Sequence, residues 1–339
     1  MQTRGFLILV AVTAAVLLIA VFSAATGDRG VSRAGPGEKA LPALGPKLAD
    51  LAWFRLTRGQ THADFAQVGA SWLVVEKGNY PAAAAKVRQT LLSLADLTLV
   101  EPKTRRPELY PRLGVEDPDD GKSTLVIVQD TSGAKVAELI VGKRRQDRLG
   151  SGNDGVYVRR PGGAQSWLAR GSLDLSGDVT SWLDRRILDI PSVRIASVSL
   201  TGEDGAGLVL TRAAPDGEFG VQNPPLDVKF KPAAALAEPA AALEALDLDD
   251  VRPASELPPP DSGVATASLK TFEGLVVNLK LVQRNKATWV AIQAVGSGPT
   301  EAEAAKINAK VAPWMFAVPE FKAKLLRTKL ADVIESAKG

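Results

Sequence analysis

The stretch that decides the fold is written twice. Residues 72–102 read WLVVEKGNYPAAAAKVRQTLLSLADLTLVEP, and residues 219–253 read FGVQNPPLDVKFKPAAALAEPAAALEALDLDDVRP. Each copy is an apolar run, a Pro-containing turn, an Ala-rich segment and a leucine pattern that stops at Pro. Trp72 and Phe219 stand 147 positions apart, as do Trp167 and Trp314, and Leu183 and Leu330. Between these markers the offset drifts to 151, at Leu92 and Leu243, Leu97 and Leu248, and Pro102 and Pro253. Common spacing at the ends with gaps inside predicts a duplicated domain. The period is far longer than the roughly 20–50 residues of a solenoid unit.

Length agrees with this reading. A chain of 339 residues suggests about two domains of roughly 150 residues. The expected class is α+β, with two tandem duplicated units, each an antiparallel sheet with packed helices, behind an N-terminal transmembrane helix. The expected divisions are an anchor at 1–25, a linker at 26–48, a first unit at 49–190 and a second at 191–339.

The anchor rests on Gly5 to Ala25, GFLILVAVTAAVLLIAVFSAA, which contains no charge. About 20 apolar residues match the bilayer core as a helix, whereas a secretory signal has an apolar core of roughly 7–15. Length favours an uncleaved anchor, and Ser23-Ala24-Ala25 leaves cleavage open. Arg4 precedes the span while Arg29, Arg33 and Lys39 follow it, so the positive-inside count does not orient it. The short flank before a single span resembles a signal-anchor. That places the expected protein in an inner membrane with its body in the periplasm. The segment 26–48, rich in Gly, Pro and Ala, reads as a tether.

Within each unit the elements follow from period and turn chemistry. In the first, Val87, Leu91, Leu94 and Ala95 share one helical face, with Lys86, Arg88 and Gln89 opposite. Strands are expected at 51–56, 64–68, 72–75, 124–129, 135–141, 156–159 and 166–169, with a helix over 175–187 that carries Val179, Leu183 and Ile187. In the second, strands are expected at 195–201, 208–212, 219–222, 267–272, 275–282, 288–294 and 314–318. Pro239 opens a helix, Thr300 and Glu303 form a capping box, and a closing helix over 320–337 presents Phe321, Leu325 and Leu326 to the core. The tryptophans at 72, 167, 182, 289 and 314 are expected in the core.

Most catalytic and cofactor chemistries lack their residues. There is no Cys and one His, so thiolate metal sites and disulfides are excluded and a Ser-His-Asp arrangement would need His62 from the polar stretch GQTHAD. No G-x-S-x-G or G-x-x-x-x-G-K-[ST] occurs. GSGNDG at 150–155 satisfies G-x-G-x-x-G, but a strand follows it, not the helix N-terminus that holds a pyrophosphate. EDPDDG at 116–121 lacks calcium-loop spacing and reads as a solvated turn. Asp96 and Asp247, at equal positions of the two copies, read as structural. A net charge of +3 is no footprint for nucleic acid. The expectation is a protein without catalysis or cofactor. One charged cluster stands out, a candidate partner-contact loop of Lys143, Arg144, Arg145, Arg148, Arg159 and Arg160. It is either a solvated loop or a contact for anionic lipid, glycan or an acidic partner.

Several of these segments together resemble a bacterial family of unknown function. They are the apolar N-terminus, the run from Trp72 to Leu94, Leu113-Gly114-Val115, Ile140-Val141-Gly142-Lys143, Val156-Tyr157-Val158-Arg159, Trp182-Leu183-Asp184 and Pro319-Glu320-Phe321-Lys322. The resemblance covers about residues 50–335. It implies a membrane-anchored envelope protein encoded beside an ABC transporter of the gliding-motility type and its auxiliary subunit. The implied function is a non-catalytic periplasmic accessory role, with the permease, the ATPase and the auxiliary subunit as partners. The alternative is an envelope scaffold or a lipid- or glycan-binding protein independent of a transporter.

Overall fold

The computed structural model of the chain describes residues 35–335 except 121, 146–153, 176 and 260–262. The expected anchor and Arg148 lie outside the described residues. Among the described residues no helix is long and apolar enough to cross a membrane.

The fold is α+β and built on two large antiparallel sheets. The first contains β1 (Leu51–Arg58), β2 (Thr61–Val68), β3 (Ser71–Val74), β4 (Tyr80–Pro81), β5 (Thr98–Pro102), β6 (Thr124–Asp130), β7 (Lys135–Arg145), β8 (Gly155–Arg159) and β9 (Ser166–Arg170), ordered β4-β3-β2-β1-β6-β7-β8-β9-β5. A short pair follows, β10 (Arg186–Leu188) with β14 (Leu246–Asp247). The second large sheet contains β11 (Ile195–Thr201), β12 (Gly207–Thr211), β13 (Gly220–Val221), β15 (Asp250–Pro253), β16 (Ala265–Thr271), β17 (Val276–Arg284), β18 (Ala287–Val295) and β19 (Trp314–Val318), ordered β13-β12-β11-β16-β17-β18-β19-β15. In both sheets a hairpin series runs outward from the first strand on one side and a meander runs outward on the other. The strand after the Ala-rich segment closes the far edge of each.

Alternation explains the faces of these strands. Leu51, Phe54 and Leu56 of β1 are buried, as are Ile195, Val198 and Leu200 of β11, as expected of sheets with one face on the core. Pairing of β1 with β6 shifts register between Leu51 and Trp53, and pairing of β11 with β16 shifts between Ile195 and Ser197. At the far edges Pro102 faces Trp167 and Pro253 faces Trp314. Proline suits such an edge because it offers no N–H to a further strand.

The helix Ala84–Asp96 buries Val87, Leu91, Leu94 and Ala95 as its periodicity predicts. It packs near an aromatic stack in which Phe54 and Phe65 are parallel at 4.2 Å and Trp182 lies 5.0 Å from Phe65. Trp182 and Trp289 are buried, while Trp72, Trp167 and Trp314 are partly buried against the core.

Several expected elements differ, each for a local reason. The helix expected over 175–187 is a single 3-10 turn, Val179–Trp182, followed by β10. Its apolar residues are drawn into separate core positions, with Trp182, Leu183 and Ile187 all buried. The second Ala-rich helix starts at Ala233, not at Pro239, and runs only to Ala237. Pro239 then sits in the first turn of a 3-10 segment, Glu238–Leu243, because a ring without N–H cannot continue the α ladder. The capping box is Ser297 with Thr300, and Glu303 instead accepts from both terminal nitrogens of Arg194 at 2.8 and 2.9 Å. The closing helix is Glu320–Leu326, with a short second turn Leu330–Val333. Phe321 is 64% exposed and Lys322 is buried. Lys322 Nζ donates to the carbonyls of Ala241 and Glu244, and burial lowers its pKa. Those carbonyls end the 3-10 segment and need donors.

The expected linker is docked over its second half. Gly37 N donates to Leu99 O at 2.7 Å, Ala40 N to Leu97 O at 2.8 Å, and Leu99 N to Glu38 O at 2.8 Å, so this segment covers the outer edge of β5. Ala40, Leu41 and Leu44 are buried. Their apolar side chains are what turns a Gly/Pro-rich tether into part of the core.

The two repeated stretches meet. Gly78, in the left-handed region at φ 67°, ends the turn after β3 and lies against Pro253 and Trp314. Lys77 Nζ pairs with Asp250 at 2.5 Å. Tyr80 is buried edge-on to Trp314 at 5.0 Å and donates to Asp184 O at 3.1 Å.

Candidate functional site

The motif segments converge at one end of the first sheet. Gly142 of β7 lies under the 113–115 backbone. A Cβ added there would stand 2.6 Å from Gly114 O and 2.8 Å from Val115 Cγ1, with Leu113 O also in contact. Only Gly fits that approach. Gly114, at φ 69°, ends the short helix Tyr110–Leu113 and lies against Lys143. Lys143 Nζ donates to Pro111 O at 3.1 Å and Arg112 O at 3.0 Å, and cations suit the carbonyl end of a helix. Arg159 locks the same segment from β8. It donates to Val115 O at 2.7 Å, to Gly163 O at 3.2 Å and to Asp117 Oδ1 at 2.6 Å, over the Tyr110 ring at 4.6 Å. Asp117 thus ties the segment 116–119 to the core, where the sequence suggests only a solvated turn.

A cleft of about 280 Å³ opens beside this junction, lined by Arg58, Lys122, Lys143, Arg144 and Asp174 among others. Arg58 Nε and Nη2 both donate to Lys122 O, at 3.2 and 3.1 Å. Arg144 Nη2 donates to Leu173 O and lies 3.6 Å from Asp174. Backbone carbonyls orient Arg58 and Lys143 without cancelling their charge. Four cations face one carboxylate among the lining residues.

The expected contact loop is therefore divided. Lys143 and Arg144 enter this cleft. Arg145 lines a second one of about 210 Å³, together with Glu101, Asp154 and Arg170. Arg160 donates to Ala40 O at 3.4 Å, toward the docked linker. Arg159 is 4% exposed, so it supports the site and presents no surface. Its guanidinium is taken up by Asp117 and two carbonyls. The two cations the sequence reading missed are Arg58, at the end of β1, and Lys122, just before β6. No local motif marks them. Only the pairing of Thr57 with Leu125 brings those strand ends together.

A second titratable group is structural. His62, Asp64 and Glu76 place ligand-type atoms within 4.8 Å of one another. Arg55 already forks Asp64 at 2.5 and 2.6 Å, and both Glu76 oxygens accept from Asp64 N at 2.9 and 3.0 Å. His62 stands 3.6 Å from Glu76 and is exposed. The Arg55 guanidinium holds Asp64 and the Asp64 N–H holds Glu76, so the set fastens the turn after β3 to β2. Asp96 and Asp247 likewise form ion pairs, with Lys39 at 3.1 Å and Arg186 at 2.6 Å.

Comparison with known families matches residues 72–266 to the domain of unknown function DUF4340. The match begins within β3 and ends within β16, so it spans parts of both large sheets and includes the junction around Gly142. No curated protein and no solved structure matches the chain.

Proposed function

The chain belongs to the DUF4340 family, and we propose that it is a membrane-anchored periplasmic accessory protein of an ABC-type transport or envelope-assembly system. Its role is binding without catalysis. The observation that carries this reading is the basic cleft. It lies beside the junction of the motif segments 113–115, 140–143 and 156–159, and four cations line it with a single carboxylate, Asp174. Such a surface meets an anionic group of a partner or cargo and steers its approach.

The apolar run from Gly5 to Ala25 supports the anchor. The gliding-motility type of transporter is proposed from the resemblance alone. We also propose that the two sheets are duplicated units. Their like strand orders, the matching register shifts in β1 and β11, and the matching Pro–Trp pairs support this.

The test is a mild-detergent pull-down of the full-length, C-terminally tagged protein from its native membrane, followed by mass spectrometry. Recovery of a permease and an ATPase in fixed ratio is expected. Recovery of the protein alone, where other membrane complexes survive, would overturn the reading in favour of an envelope scaffold or lipid- or glycan-binding protein.

A further inference from the structure

We propose that the cleft formed by Arg58, Lys122, Lys143 and Arg144 is a phosphoryl-anion site that takes the phosphate of a monoester. This deepens the reading of the cleft as the recognition site and rests on it.

Charge within the protein makes the first argument. Several cations elsewhere meet carboxylates, Arg55 with Asp64, Lys77 with Asp250, Arg186 with Asp247 and Arg194 with Glu303, while Lys322 and Arg160 donate to carbonyls. In the cleft, Arg58 and Lys143 donate to carbonyls only, and the exposed Lys122 has no side-chain partner among the described residues. Arg144 has Asp174 at 3.6 Å, whereas no carboxylate among the described residues pairs with Arg58, Lys122 or Lys143, and an incoming anion would supply the missing negative charge.

The second sheet supplies an internal control. A cleft of about 340 Å³ occupies the corresponding place there, at the end of β11, the start of β16 and the segment after Leu326. In the first sheet two of these places recur, the end of β1 and the start of β6, and the further wall is the segment after Leu173. Leu173 and Leu326 are both buried. In the second cleft the chain's own groups use the cations. Lys329 pairs with Asp204 at 3.1 Å, and Arg327 donates to Gln283 and to Thr288. Two carboxylates, Glu203 and Asp204, balance two cations, Arg327 and Lys329, among its lining residues, whereas the first cleft has one carboxylate for four cations.

Charge balance selects the class of anion. Four cations against Asp174 leave an excess of three positive charges among the lining residues. A carboxylate brings one charge and two oxygens. A phosphate monoester brings about −1.5 to −2 and three acceptor oxygens, and mixed Arg and Lys donors suit it.

The experiment is calorimetric titration of the full-length protein in detergent with inorganic phosphate at fixed ionic strength. Saturable binding is expected. It should weaken at least tenfold in K143Q/R144Q and in K122Q, and stay unchanged in R327Q. Lys122→Gln removes an exposed side chain with no partner, so its effect does not depend on folding. Competition by glycerol 3-phosphate and by dihexanoyl phosphatidic acid then separates sources. Stronger competition by the lipid assigns the phosphate to a headgroup, and equal competition assigns it to a soluble ester. No saturable binding, full competition by acetate, or wild-type affinity in K122Q and K143Q/R144Q would overturn the proposal. Absent phosphate binding with transporter subunits still co-purifying rejects this site and leaves the accessory role standing. The converse pattern rejects the accessory role alone.

Discussion

Substitution of Gly142 by Ala tests whether the junction of segments 113–115 and 140–143 is as close as described. The new methyl would meet Gly114 O at 2.6 Å and Val115 Cγ1 at 2.8 Å, and Leu113 O as well. Two of these are backbone atoms and cannot rotate away. Overpacking of this kind costs typically about 1–3 kcal/mol. Displacing the 113–115 backbone also weakens the bond from Arg159 Nε to Val115 O, now 2.7 Å, and a hydrogen bond from a charged donor contributes about 1.5–3 kcal/mol. With partial relaxation the loss is about 2–4 kcal/mol. At about 2–4 °C per kcal/mol for a unit of 150–250 residues, that lowers the melting temperature by roughly 5–15 °C. The control is Gly133→Ala, at φ 78° with nothing within 4 Å, where only the left-handed conformation is penalised, by about 1–2 kcal/mol. Thermal unfolding followed by circular dichroism compares the two. If G142A melts with the wild type, or no lower than G133A, the close approach is wrong and so is the account of how Lys143 is held.

Three further outcomes follow from the packing and the charges. Phe321→Ser changes stability by no more than about 0.5 kcal/mol, because the ring is exposed, whereas Leu326→Ala costs about 2–5 kcal/mol; denaturant midpoints distinguish them. Trp182→Ala, in the aromatic stack with Phe65, costs about 3–5 kcal/mol, and a smaller loss in the same assay would contradict its full burial. Asp130 accepts from Ser132 and from Lys47 at 3.0 Å, which holds its pKa at about 2 against an ordinary 3.8. A depressed carboxylate stabilises the fold above its unfolded pKa and loses that contribution as pH falls through the folded one. Unfolding measured from pH 5 to 2 should therefore show a loss between about pH 4 and 2 that is smaller in D130N.

Much of the fold was legible because its signals are local. The face of Val87, Leu91, Leu94 and Ala95 needs only the helical period, and the alternation in β1 and β11 needs only the strand period. The Trp167–Trp314 spacing, combined with the Pro102–Pro253 spacing, marks the pairs that close the two sheets. What was not legible depends on partners distant in sequence. Phe321 looks like a core residue until Lys322 is seen serving the carbonyls of Ala241 and Glu244. The segment 175–187 has helical spacing, yet Trp182 is taken by an aromatic stack from β1 and β2. For the site, Lys143 and Arg144 were visible as a cluster of charge. Arg58 and Lys122 were not, since strand pairing alone unites them, and the burial of Arg159 follows from Asp117 and the Val115 carbonyl.

The central claim is that the basic cleft of the first sheet is where this protein meets its partner. The most direct measurement is the ratio of permease and ATPase recovered from native membranes with full-length wild type, with K143E/R144E and with R327E/K329E. The account predicts loss of both subunits for K143E/R144E and wild-type recovery for R327E/K329E. Equal recovery with all three proteins would contradict it.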